Sequence, residues 1–256
     1  MIYRRPRGIL ILLLALLLSA CAAPGSTVRP EDRKKAQASR NLGEAYLSEG
    51  NYTEALRELL KAEKINPKDP ILLNDLGLAY MAKDRLDTAI TYFKRAIELK
   101  PDYSLAKNNL GGAYLVLKEW DKAIPPLKEV TGDMLYATPH FPLANLGWAY
   151  YNKGDYAKAR EYLTAALELK PDFLIAQLNL GRTELASGHL YQALSIFENA
   201  AKDHPKDPVL LLELGRTYRL MGRYDDAKLA LKAAMDLTDD SKLAAEAAEE
   251  MNKIYR

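Results

Sequence analysis

Few residues in this 256-residue chain have the type and spacing to carry out a reaction. It holds one cysteine, Cys21, and three histidines, His140, His189 and His204, which fall at irregular intervals beside turn-like segments. No nucleophile elbow, phosphate-cradling loop or zinc-ligand spacing occurs, and Gly111-Gly112 sits inside a longer periodicity. The expectation is a chain that is not an enzyme, with no cofactor, no metal and no small-molecule substrate. An apolar content of 48% argues against disorder, and a lone cysteine cannot build an internal disulfide framework. The formal charge is +2, from 36 basic and 34 acidic residues. Three of those cations, Arg4, Arg5 and Arg7, lie in an N-terminal segment without acids, so the rest of the chain carries −1. That leaves nothing basic enough to hold nucleic acid.

Cys21 is the reactive residue with a context. Behind the three arginines runs an unbroken apolar stretch from Ile9 to Leu18, then Ser19, Ala20 and Cys21. A charged start, an apolar run of about ten residues and small residues at its end predict an export signal over residues 1–20. The run is too short to cross a hydrocarbon core of about 30 Å comfortably. Leu18-Ser19-Ala20-Cys21 resembles the bacterial lipobox. The resemblance implies cleavage before Cys21 and a covalent lipid on it, giving a membrane anchor. Ala22 stands where an aspartate would signal retention at the inner membrane, which implies the outer membrane with the body facing the periplasm. Residues 21–35 read as the lipidated cysteine and a flexible tether.

The elements that position everything else come from self-comparison. Leu-Gly recurs at Leu42-Gly43, Leu76-Gly77, Leu110-Gly111, Leu146-Gly147, Leu180-Gly181 and Leu214-Gly215. An alanine follows each glycine by twelve residues: Ala55, Ala89, Ala123, Ala159, Ala193 and Ala227. A tyrosine follows by three in every unit except the fifth, which has Glu184. Pro67, Pro101, Pro171 and Pro205 close four units, since proline cannot continue a helix. The pattern resembles the tetratricopeptide repeat. It implies an all-α, right-handed superhelix of six helix-turn-helix units over 36–241 (36–69, 70–103, 104–139, 140–173, 174–207 and 208–241). Residues 242–256 predict a capping helix, with Leu243, Ala247, Met251 and Ile254 on one stripe and Glu246, Glu249, Glu250 and Lys253 pointing elsewhere. A partner-binding tail is the alternative.

The third unit departs from the rule. It is two residues longer, and Pro125-Pro126 inside its second helix should shorten or kink that helix. The segment 131–142 is either a tolerated insertion or a hinge or docking loop exposing Leu135, Tyr136 and Phe141.

In such an architecture the first helices line a concave groove. The face opposite the Leu-Gly-Tyr stripe offers Arg40, Glu44 and Ser48 in the first unit. Asn74, Leu78 and Met81 follow, then Asn108, Gly112 and Leu115, then Phe141, Trp148, Tyr151 and Asn152. Leu178, Arg182 and Leu185, then Leu212, Arg216 and Arg219, complete it. The expectation is an apolar middle anchored by Trp148 and Tyr151, with a basic end at Arg182, Arg216 and Arg219 that takes an acidic group. The competing account makes Phe141, Trp148 and Tyr151 inter-repeat core. Asn41, Asn109, Asn145 and Asn179 recur before the Leu-Gly pair, where an amide bonding backbone between units is expected.

Taken together, Cys21, the six units and the stretch Asp133-Met134-Leu135-Tyr136-Ala137-Thr138-Pro139 resemble the type IV pilus biogenesis lipoproteins PilF and PilW, the pilotins. The resemblance implies a secretin subunit as the protein partner, with help in its outer-membrane localisation and multimer assembly. The alternative is a periplasmic adaptor for peptidoglycan hydrolases or the outer-membrane protein assembly machinery.

Overall fold

A computed structural model describes residues 28–255. The export signal, Cys21 and the start of the tether lie outside the described residues. Thirteen helices and no strands occur among the described residues. They alternate as first and second helices of six units: α1 (Pro30–Ser48) with α2 (Tyr52–Ile65), α3 (Pro70–Ala82) with α4 (Leu86–Leu99), and α5 (Ser104–Val116) with α6 (Trp120–Thr131). Then come α7 (His140–Asn152) with α8 (Tyr156–Leu169), α9 (Leu174–Ala186) with α10 (Leu190–Asp203), and α11 (Pro208–Leu220) with α12 (Tyr224–Leu237). Helix α13 (Ser241–Asn252) follows.

The repeated glycine works through the helix that returns beside it. A methyl group on Gly43, Gly77, Gly111, Gly147, Gly181 or Gly215 would sit between 2.2 and 2.6 Å from a side chain sixteen residues later. Those side chains are Leu59, Phe93, Leu127, Leu163, Phe197 and Leu231, all fully buried. Glycine therefore lets the two helices close on a large apolar knob, and the buried alanine at plus twelve thins the other side of the crossing. Tight turns join the pair. Gly50, Gly154, Gly188 and Gly222 take the left-handed conformation there, and Asp84 and Lys118 take it in the second and third units.

Each helix packs on the next, and each first helix also packs on the first helix of the following unit. The second helices have no comparable backbone approach to one another. The stack therefore curves, with first helices inside and second helices outside. The first helices are accordingly buried on several sides, whereas the second helices bury one stripe and keep a charged outer face, as in the Lys61–Glu58 pair at 2.6 Å.

Two expectations need correction here. The tether does not extend to residue 35, because α1 begins at Pro30: proline fits the first helical turn, and Glu31 and Asp32 there suit the helix dipole. Glu250 does not point away from the body. It is 6% exposed, although Leu243, Ala247, Met251 and Ile254 do pack on Leu212, Leu231 and Ala234 and so cap the core. Helix α6 runs through Pro125 and Pro126 but ends after 12 residues, against 14 in every other second helix. The buried cluster from Ala89 to Ala176 is continuous across the following loop.

Candidate functional site: the concave groove

Helical periodicity puts the residue six places before each glycine on the inner face, in line with those at minus three, plus one and plus four. Ile71, Leu105, Phe141 and Ile175 form that row, each 39–53% exposed. The sequence reading found Phe141 but missed Ile71, Leu105 and Ile175. Their signal is an apolar residue recurring six before the glycine in the second to fifth units.

At mid-groove Trp148 stacks on Tyr151 with ring centroids 5.3 Å apart, and Tyr156 tilts against Tyr151 at 5.8 Å. Both Trp148 and Tyr151 are half-buried and touch the core on one side. Phe141 joins His140 and Phe173 in an edge-packed trio while leaving one face open. These rings thus have one side in the core and one in the groove. Asn152 is exposed, and its amide donates to the Trp148 carbonyl at 2.8 Å. Leu78, Met81 and Asn108 are half-buried beside this patch.

Other expected groove residues are used internally. Asn74 is 1% exposed and accepts from the Asn109 amide at 2.8 Å; Asn145 reaches Asn108 at 3.5 Å. Asn109 and Asn145 therefore bridge units through side chains rather than backbone, because the neighbouring first helix presents an amide at the matching place, whereas Asn41 accepts from Gln37 within its own helix. Leu115, Leu178 and Leu212 are buried and cannot meet a partner without rearrangement.

The expected free basic end is also different. Arg182 Nε donates to Glu213 at 2.7 Å, and Arg216 Nη1 bridges to the same carboxylate at 3.0 Å. Arg216 and Arg219 then reach Glu250 on α13 at 3.4 and 2.8 Å, with Lys253 Nζ at 3.0 Å. Burial opposes ionisation of Glu250, but hydrogen bonds from Lys253 and Arg219 outweigh it and hold the carboxyl below its usual range. Arg182 also lies over the Trp148 ring, 6.0 Å from its centroid. The guanidiniums form a paired ladder that borders the aromatic patch.

At the other end, Arg40 lies 3.2 Å from Glu44 and 3.4 Å from Asp69. Asp69 also caps α3, accepting the Ile71 and Leu72 amides. Asp75 is 7% exposed; one oxygen receives the Asn74 amide at 3.5 Å and Oδ2 has no donor. Burial, then the Glu44 carboxylate, pushes Asp75 up to about 7.

The third-unit loop exposes Met134 and Leu135 almost fully, while Tyr136 is half-buried. Asp133 fixes the loop, bonding Ser104 and accepting the Leu135 amide at 2.9 Å. On the outer side, Glu184 replaces the usual tyrosine and is held by Arg160 and by His189 at 2.7 Å.

The tetratricopeptide-repeat models match residues 43–84, 70–103, 141–173 and 184–250, and those over 70–103 and 141–173 coincide with the pairs α3–α4 and α7–α8. The chain is a tetratricopeptide-repeat protein. Its fold is similar to that of PilF from Pseudomonas aeruginosa, with a TM-score of 0.73 and 22% identity over 86% of this chain and 99% of that one. It is also similar to PilW, described as a widely conserved type IV pilus biogenesis factor, with a TM-score of 0.76 and 22% identity over 86% and 98%. Among curated sequences it is 33% identical over 82 residues to the TPR repeat-containing protein MJ0941 of Methanocaldococcus jannaschii. This repeat protein spans 11–24% of the length of the curated relatives it matches.

Proposed function

We propose that this repeat protein is a lipid-anchored periplasmic scaffold of the outer membrane that assists type IV pilus biogenesis. In this reading it binds a secretin subunit and promotes its localisation and multimer assembly. The observation that carries the scaffold role is the inward apolar row Ile71, Leu105, Phe141 and Ile175 beside the Trp148–Tyr151 stack. Exposed aromatic and apolar groups in a concave surface fit an extended or helical segment of a partner. The pilus assignment draws support from fold similarity that runs the length of PilF and PilW. The anchoring draws support from the lipobox-like segment ending at Cys21.

Deleting the gene should abolish twitching motility and leave the secretin monomeric. Normal secretin multimers in the deletion strain would overturn the pilus role and favour an adaptor for peptidoglycan hydrolases or outer-membrane protein assembly. A Cys21→Ser variant should appear in the soluble periplasmic fraction; retention in the membrane would refute the anchor.

A further inference from the structure

The unit-to-unit geometry of the groove repeats, which allows its two ends to be compared position by position. The residue two before the glycine faces the first helix of the preceding unit in the second, third, fourth and sixth units. In the sixth unit this is Glu213, and it meets Arg182, one residue after the fifth unit's glycine, at 2.7 Å. In the second unit it is Asp75, and the corresponding residue of the first unit is Glu44, whose carboxylate stands near enough to raise the Asp75 pKa. A carboxylate thus faces a guanidinium at one end and a second carboxyl at the other.

The neighbours do not restore the balance. Around Asp75 stand Arg40 and Glu44 from α1, Asp69 and Asn74 from the start and middle of α3, and Tyr103 just before α5. Three carboxyls therefore share one guanidinium. Arg40 is committed to Glu44 and Asp69, and its Nε lacks a well-directed hydrogen bond. Asp75 Oδ2, in a side chain more than nine-tenths buried, receives no donor. Glu44 remains 42% exposed and forms the open side of the cluster.

We propose that the Glu44–Asp75 pair is a subsite for a cationic side chain, lysine or arginine, of the protein segment held in the groove. The inference rests on the scaffold reading and gives it a direction: the basic end of the segment lies over the first two units. The cation stands where Arg182 stands for Glu213. In the unliganded protein a proton occupies that role, since burial and Glu44 keep Asp75 protonated up to about 7. Binding of the cation displaces that proton into solvent, so affinity rises with pH through neutrality.

The test uses the purified mature protein and short apolar peptides bearing one lysine at the first or last position, each compared with norleucine there. A lysine at one of the two ends should tighten binding about tenfold, the worth of one charge-assisted hydrogen bond. Glu44→Gln should erase that preference and leave the norleucine peptide unaffected. Glu44→Arg supplies the cation from within the chain. It should raise the melting temperature, move the Asp75 titration seen by carbon NMR below 5 and also abolish the preference. Equal affinity for lysine and norleucine peptides overturns the subsite and leaves the scaffold reading intact. Failure of every peptide to bind at millimolar concentration overturns both. A Glu44→Arg protein that melts no higher than the parent, with Asp75 titrating as before, overturns the subsite independently of any peptide.

Discussion

The two ends of the groove use the same backbone register for opposite electrostatic ends. At the sixth unit, Glu213 is 1% exposed and fully served by Arg182 and Arg216, and α13 adds Glu250 to quench the remaining guanidiniums. At the second unit, Asp75 is nearly as buried but faces Glu44, with Arg40 turned mainly to other acids. Identical placement gives a closed ion-pair ladder in one case and an unfinished one in the other. A superhelix thus keeps its packing rule constant while inner-face residues two before and one after the glycine set the chemistry of each stretch.

The strongest way to break this comparison is Glu213→Ala. It strands Arg182 and Arg216, and unfolding should show a loss of about 2–4 kcal/mol, somewhat below a fully buried pair because the guanidiniums are partly solvated. Asp75→Asn should by contrast cost little or raise stability, since it removes a buried carboxyl that must either hold a proton or face Glu44 as a second charge. Equal losses in chemical denaturation would abolish the distinction between the ends.

Next in size is Trp148→Ala, between the two ends. It should weaken binding of the partner segment about tenfold or more. The melting temperature should stay within a few degrees. A large drop in melting temperature would assign the ring to the core instead.

A pH series sharpens the contrast further. Asp75 has a raised folded-state pKa, so the native state holds a proton that the unfolded chain has released above its ordinary value of 3.8. Its contribution therefore favours folding at low pH and is lost as pH rises towards about 7. Parent minus Asp75→Asn stability should fall between pH 4 and 7, and a flat difference would contradict the assignment. The smallest effect belongs to Met134→Ser with Leu135→Ser. Both side chains are solvated, so stability should change by less than about 0.5 kcal/mol. Secretin assembly in cells then decides whether that loop docks a partner.

The helix pairs were legible in the sequence because the glycine, the alanine and the turn residues are local necessities repeated six times. The capping stripe at Leu243, Ala247 and Met251 was legible for the same reason. What could not be seen were pairings across units. Nothing in the spacing of Arg216 and Arg219 foretells that Glu250, on a helix added after the repeats, takes both. Nor does a polar Asn74 announce that Asn109 consumes it, because such contacts depend on the curvature between successive first helices. Position 30 is hidden for a different reason: a charged, proline-led segment resembles a linker in composition, yet it supplies a proline and two acids to the first helical turn.

Helix α13 is more than a lid on the last apolar surface. Because Glu250 carries counter-charge for Arg216 and Arg219, trimming the chain after the sixth unit would strip Arg219 of its carboxylate and leave Arg216 with Glu213 alone at the groove mouth. A shortened protein would consequently change its selectivity towards acidic ligands at the same moment that it lost its cap. Proteolysis or a premature stop there would act as a charge substitution at a distance, and its effect on binding could not be inferred from stability alone.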